Sequence, residues 1–152
     1  MPSLLRPARA TDSEWLWQTK TRCLRGYIEQ TWGAWDEDLQ RARFDASFEP
    51  EEIQIITTGG RDAGFIAARR LPDEIQLLNL MVAPEFQNLG IGSAVLRELL
   101  AGARQSGLPV RLQVMKVNPA RRLYERLGFV VIDESATHFR MIWRSVSERA
   151  ES

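Results

Sequence analysis

From Val82 to Ser93 the chain reads Val-Ala-Pro-Glu-Phe-Gln-Asn-Leu-Gly-Ile-Gly-Ser, closing an apolar run and opening an amphipathic one. A glycine-rich turn between a strand and a helix can hold a phosphate. With Gly90 and Gly92 the backbone approaches a ligand with no Cβ in the way. The first N–H groups of the helix that follows point outward, with the positive end of its dipole behind them. A diphosphate fits such a cradle, although two glycines can also serve only to turn the chain. Downstream, Asn118-Pro119, Tyr124 and Leu127-Gly128-Phe129 place an amide, a phenol and a second glycine stop at fixed spacing.

Two other nucleotide-binding patterns fail on their residues. A dinucleotide fingerprint requires G-x-G-x-x-G, but Val95 stands where the third glycine belongs, and the strand before it follows a meander instead of opening a βαβ unit. A nucleoside-triphosphate loop requires a lysine directly after its last glycine, and none follows Gly90 or Gly92. Cys23 is the only cysteine and His138 the only histidine, so an internal disulfide is impossible and no metal motif can be assembled.

The elements that must carry these residues are legible in the periodicity. A short strand is predicted around Ser3 to Arg6. Thr11-Asp-Ser-Glu14 reads as a capping box before a helix of roughly Thr11 to Gln30, whose apolar positions include Leu16, Trp17, Cys23, Leu24, Tyr27 and Ile28. Gly33 separates it from a second helix with Trp35, Leu39, Ala42 and Ala46 on one face, ending before Pro50. Ile53, Ile55 and Thr57 then alternate up to Gly59-Gly60. Gly64 to Arg69 and Ile75 to Val82 complete a three-stranded antiparallel meander. Ile91, Val95, Leu99 and Ala103 form the stripe of a third helix that ends at Gly107-Leu-Pro109, and Val110 to Met115 alternate as a strand. Asn118 is an N-cap with Pro119 at the first helical position. Leu123 and Leu127 face inward, and Gly128 closes the short helix in a left-handed conformation. Phe129 to Ile132 and Thr137 to Trp143 make a final hairpin. One domain, 1–145, is expected, followed by a polar tail, 146–152, that frays.

Composition bounds the function. Chains of 152 residues bury one proper core, and with 44% apolar and 26% charged residues this one should fold alone. Twenty basic and twenty acidic residues cancel, so no global field attracts nucleic acid or an anionic membrane. The amino terminus lacks the apolar region of a secretory signal, and no apolar stretch spans a bilayer; a cytoplasmic location is expected.

The order strand, two helices, three strands, helix, strand, helix, two strands resembles that of the GNAT superfamily of acyl-coenzyme A dependent N-acetyltransferases. Gln87-x-x-Gly90-x-Gly92 is similar to the family's pyrophosphate loop. Asn118-Pro-Ala-Arg-Arg-Leu-Tyr124-Glu-Arg-Leu-Gly128-Phe129 resembles its second coenzyme-binding motif. The resemblance implies an α/β (α+β) fold with a single mixed, mostly antiparallel sheet of six to seven strands and about four helices, in the order βααβββαβαββ.

It also implies roles. Acetyl-coenzyme A would be the donor, with no metal. Its pyrophosphate would lie on the backbone of Gln87, Asn88, Leu89, Gly90, Ile91, Gly92, Ser93 and Ala94. Gln87 would brace the loop and Ser93 offer a hydroxyl. The pantetheine arm would run beside Met81 and Val82 as an added strand, with the oxyanion held by the backbone N–H of Leu80 or Met81. Asn118 would contact the pantetheine or fix the turn, and Tyr124 would protonate the departing thiolate. An ordinary phenol, with pKa about 10, is only slightly weaker an acid than a thiol. Leu89 departs from the family pattern, where this position is often basic, so backbone groups should carry the pyrophosphate. Asn79 stands near where many relatives place a glutamate. It can orient a water but cannot act as a base, which leaves Glu29 first and His138 second as candidates, or a water chain.

The acceptor should be written in Tyr27-Ile-Glu29-Gln-Thr-Trp32-Gly-Ala-Trp35, the segment that covers the acceptor site in this superfamily. Aromatic faces and carboxylates suit an amine. Tyr27, Glu29 and Trp32 are the candidates for contact, with Asn79, Gln113, Lys116 and His138 beside them; Cys23 is read as core. The expected activity is transfer of an acetyl group to a primary amine of a small molecule or peptide. The alternatives are acetylation of a protein N-terminus or lysine, and a non-catalytic acyl-coenzyme A sensor. Neither nucleic acid nor membrane is expected as a partner, and the chain would be a monomer or homodimer.

Overall fold

The structure, a computed structural model, describes residues 3–145; the expected polar tail, 146–152, lies outside them. Seven strands form one mixed, mostly antiparallel open sheet in the order β1-β2-β3-β4-β5-β7-β6, and four helices accompany it. Along the chain these are β1 (Ser3–Pro7), α1 (Ser13–Trp32), α2 (Glu37–Ser47), β2 (Ile53–Thr58), β3 (Arg61–Arg70) and β4 (Ile75–Val82). There follow α3 (Ile91–Ser106), β5 (Val110–Met115), α4 (Ala120–Arg126), β6 (Val130–Glu134) and β7 (His138–Trp143). The element order is the one expected from the sequence. The chain divides into two compact units, one running up to Ala67 and including Asn79–Gly92, the other comprising Ala68–Leu78 and the chain from Ser93 onward.

In the first unit β1 and β2 pair antiparallel, as do β2 and β3 across the Gly59-Gly60 turn, whose residues both have positive φ, 58° and 79°. The register of β2 on β3 shifts between Ile56 and Thr57: Ile56 faces Gly64 and Thr57 faces Asp62, leaving Ala63 as an extra residue. The core gathers Leu16, Trp17, Phe44, Ile55, Phe65 and Met81. Trp17 is its hub, with ring centroids 6.0 Å from Trp35 and 5.6 Å from Phe44, while Phe44 lies 5.7 Å from Phe48. Burying a side chain of this size contributes about 1.5–3 kcal/mol, and such aromatic contacts add about 0.5–1.5 kcal/mol each.

That aromatic cluster overrides the expected face of α2. Phe44 is buried whereas Leu39, Ala42 and Ala46 are exposed, and Trp35 precedes the helix instead of belonging to it. Asp36 caps α2 by accepting from the Leu39 N–H at 3.0 Å. The expected capping box at Thr11–Glu14 is also displaced. Asp12 accepts from the Arg9 N–H at 2.8 Å and from both terminal nitrogens of Arg6 at 3.0 Å, which holds Ala10–Asp12 in a 3-10 turn and delays α1 to Ser13. Arg6 reaches Asp62 as well, at 3.1 Å, tying β1 to β3. α1 ends at Trp32, two residues later than expected, where Gly33 with its φ of 84° stops the helix.

In the second unit β5 runs parallel to β4 over only three pairs, Ile75–Leu77 with Val110–Leu112. On its other side β5 pairs antiparallel with β7, in a ladder that is continuous from Val110–Trp143 to Met115–His138. The inward residues of α3 in this unit are Val95, Leu96, Leu100 and Ala103, whereas the expected Leu99 is only half-buried. Arg104, on the same helix, lays its guanidinium 5.5 Å from the ring centre of buried Trp143. β6 is the outer strand. All five of its residues are exposed, and its register on β7 shifts between Val131 and Asp133, so that Ile132 is an extra residue.

Candidate functional site

The end of β4 and the loop after it are held from several directions. The carbonyl of Val82 accepts from Gln87 Nε2 at 2.9 Å and from Cys23 Sγ at 3.4 Å, and the Ala83 N–H donates to Ala63 at 2.8 Å. Burial pushes the Cys23 thiol up, so it stays protonated and serves as a donor. Pro84–Phe86 form a single 3-10 turn. Arg22 of α1 grips Glu85 with both terminal nitrogens, and Arg61 of β3 stacks 4.9 Å from the Phe86 ring centre.

Past Gln87 the chain takes two left-handed steps, Asn88 with φ 66° and Gly90 with φ 79°, and α3 begins at Ile91. At Gly90 an added Cβ would meet no protein atom within 4 Å, so the dihedral angle, not crowding, calls for glycine there. Asn88 manages the same region because asparagine tolerates it best among residues with a side chain. Leu89, between them, is 68% exposed and brings no charge. The first N–H groups of α3 have no partner within the helix.

On α4, Asn118 Oδ1 accepts from the Ala120 N–H at 2.9 Å, while the Asn118 N–H donates to Met115 at 2.9 Å; the side chain fixes the turn that opens the helix. Tyr124 is only 7% exposed, with its ring edge-on to Phe129 at 5.7 Å. Leu123 and Leu127 flank it, half-buried. No group among the described residues accepts from its hydroxyl. Burial pushes this phenol up to about 12. The helix closes with the Gly128 N–H donating to Glu125 at 3.1 Å and the Phe129 N–H to Tyr124 at 3.0 Å, a reversal that needs the φ of 104° at Gly128.

The profile of the acetyltransferase (GNAT) domain matches residues 49–131, more than half of the chain. This protein belongs to the GNAT acetyltransferase family. Its GNAT domain is similar to the [ribosomal protein bS18]-alanine N-acetyltransferase of Haemophilus influenzae, 34% identical over 71 residues, which cover 46% of this chain and 49% of that protein. It is also similar to the 5-NmdU N-acetyltransferase of Pseudomonas phage PaMx11, 34% identical over 95 residues, 60% of this chain and 66% of that one. The matched stretch thus spans about half to two thirds of the length of these relatives. Among solved structures it resembles the PaiA N-acetyltransferase of Thermoplasma acidophilum in complex with coenzyme A. The TM-score is 0.74 at 20% identity, covering 95% of this chain and 99% of that one, a likeness of fold.

The matched stretch of the GNAT domain holds the glycine loop, Asn118 and Tyr124, but not Tyr27, Glu29, Trp32 or His138. The first three lie on the last turns of α1. Tyr27 is half-buried, Trp32 is 56% exposed, and Glu29 is paired with Arg25 one turn back at 3.3 Å. Asn79 and Leu80 are half-buried on β4. Gln113 and His138 lie in the second unit. Gln113 is exposed and faces Arg140 across the β5–β7 ladder, and His138 Nδ1 shares a hydrogen bond with Thr137 Oγ1 at 2.8 Å. Lys116 pairs with Glu134 at 3.5 Å and lies over Phe139. Three contacts had no sequence signal: the Cys23–Val82 hydrogen bond, the Arg22–Glu85 pair and the close approach of Gly64 to β4. Each depends on elements distant in the chain.

Proposed function

We propose that this protein is an N-acetyltransferase that moves the acetyl group of acetyl-coenzyme A onto a primary amine, by direct attack and without an acyl-enzyme. The observation that carries this is the loop from Gln87 to Gly92. It has two left-handed residues, a carbonyl tie to β4 and the N-terminus of a sixteen-residue helix at its end, a shape suited to a pyrophosphate. Leu89, Gly90, Ile91, Gly92, Ser93 and Ala94 would hold that group through backbone N–H groups. Met81 and Val82 would align the pantetheine, and the N–H of Leu80 or Met81 would face the developing oxyanion.

In the reaction the amine nitrogen bonds to the thioester carbon, the C–S bond breaks, and one nitrogen proton ends on the sulfur. Tyr124 stays a neutral donor throughout the working pH range, because burial raises it to about 12. Its role would be to donate its proton to the departing sulfur, and the proton that the amine loses, passed on through Glu29, His138 or water, would restore it. The similarity to a ribosomal-protein alanine acetyltransferase favours a peptide amino terminus among the possible acceptors.

The test is release of free thiol from acetyl-coenzyme A over a panel of peptides with alanine amino termini, lysine peptides, polyamines, amino acids and amino sugars. Turnover with one class and a product heavier by one acetyl group is expected. Coenzyme binding without turnover on any class would support the sensor reading instead.

A further inference from the structure

Gly64 lies in β3 beside the end of β4, and a Cβ built on it would fall 2.1 Å from the carbonyl oxygen of Met81, 3.1 Å from its carbonyl carbon and 3.0 Å from Val82 Cα. The oxygen is nearer than the carbon by most of the length of a C=O bond, so this carbonyl points onto Gly64. The obstacle is backbone and cannot swing aside as a side chain would. Because the peptide is planar and trans, the Val82 N–H points the opposite way, away from Gly64. The β3 bulge at Ala63 sits next to this contact and takes the Ala83 N–H on its carbonyl at 2.8 Å. Bulges are over-represented next to active sites, where they interrupt the regular ladder.

We infer that Gly64 is a positioning residue for acyl transfer: by leaving room for the Met81 carbonyl it turns the Met81–Val82 peptide so that the Val82 N–H is presented to the acyl-donor arm. This rests on the reading of β4 as the strand that aligns the pantetheine. A side chain at 64 forces that peptide to rotate back and withdraws the donor, although Gly64 itself touches neither coenzyme nor acceptor.

The experiment uses the full chain with Gly64→Ala, and Gly102→Ala as a control, since a Cβ at Gly102 meets nothing within 4 Å. Gly64→Ala is expected to keep a cooperative melt while kcat/KM for acetyl-coenzyme A falls at least tenfold, with the loss appearing in kcat as well as KM; the control stays within twofold. Kinetic constants within twofold of the unmodified protein for Gly64→Ala overturn the inference. Should Gly64→Ala fail to fold, amide exchange of the unmodified chain with and without coenzyme A decides. Slowing at Val82 together with Gly92–Ala94 is expected. Slowing at Gly92–Ala94 with none at Val82 overturns the role of Gly64 and leaves the donor site intact, whereas no slowing at either place overturns the donor site itself.

Discussion

Gln87 reaches back five residues to donate its side-chain amide to the carbonyl of Val82 at 2.9 Å, so the loop that would cradle a pyrophosphate is tied to the strand that would carry the thioester. Such a bond contributes about 0.5–1.5 kcal/mol, equivalent to roughly a twofold to tenfold effect. Gln87→Ala is expected to raise KM for acetyl-coenzyme A by about that factor and to leave kcat close to normal. A thiol-release assay at varied donor concentration separates the two constants, and an unchanged KM would remove Gln87 from the loop's support.

Tyr124→Phe keeps the ring against Phe129 and deletes a buried hydroxyl that no described residue accepts from. Turnover is expected to fall by roughly 10²-fold, the lower end for a lost proton donor, with coenzyme affinity kept. Stability should hold or rise, because an unpartnered buried hydroxyl costs free energy. Calorimetric melting and coenzyme titration of the same preparation check both; retained turnover would dismiss Tyr124 from the chemistry.

The same phenol makes a pH prediction. Its folded-state pKa, about 12, lies above its unfolded value of about 10. The folded state therefore holds the proton more tightly, and the stability tied to it is complete below about pH 10 and lost as pH rises toward 12. Denaturant midpoints measured across that window should fall less steeply in Tyr124→Phe than in the unmodified chain.

Asp12 works in the opposite direction. The Arg6 guanidinium holds its carboxyl below the usual range, against the opposing effect of burial and with help from the Arg9 N–H. A depressed acid contributes stability above its unfolded pKa, near 3.9, and loses it as pH falls through the folded value. Asp12→Asn should cost about 1–2 kcal/mol at neutral pH and flatten the acid limb of the stability profile. An unaltered acid limb would show that the Arg6 pairing does not carry it.

At Gly90 the positive φ of 79° meets open space, so cost should follow backbone preference alone. Gly90→Asn is expected to lose less than Gly90→Ala, which should lose about 1 kcal/mol, and Gly90→Val more. Melting temperatures of the three rank them, and a rank that followed side-chain size alone would point to crowding instead.

Element order was readable because each element carries its own period and its own stop, as at Gly33, Gly59-Gly60, Gly107 and Gly128. What escaped was decided by partners far away in the chain. Thr11 looked like a cap until Asp12 was claimed by Arg6. Leu39, Ala42 and Ala46 spelled a helical face, yet the ring of Trp17 drew Phe44 inward and turned the helix. The glycine loop and the Asn118–Gly128 segment were legible because their chemistry is local. Gly64 was not, since it heads the expected strand Gly64 to Arg69, where an ordinary turn also leaves a glycine, whereas β3 starts at Arg61.

β6 carries Val130, Val131 and Ile132 at the outer edge of the sheet, each more than two-fifths exposed. A flat edge of that composition would be a template on which further chains could assemble. The extra residue at Ile132 and the acids Asp133 and Glu134 after it interrupt the row of free backbone groups. Shortening the strand by that one residue would straighten it, and the first thing lost would be solubility at high concentration.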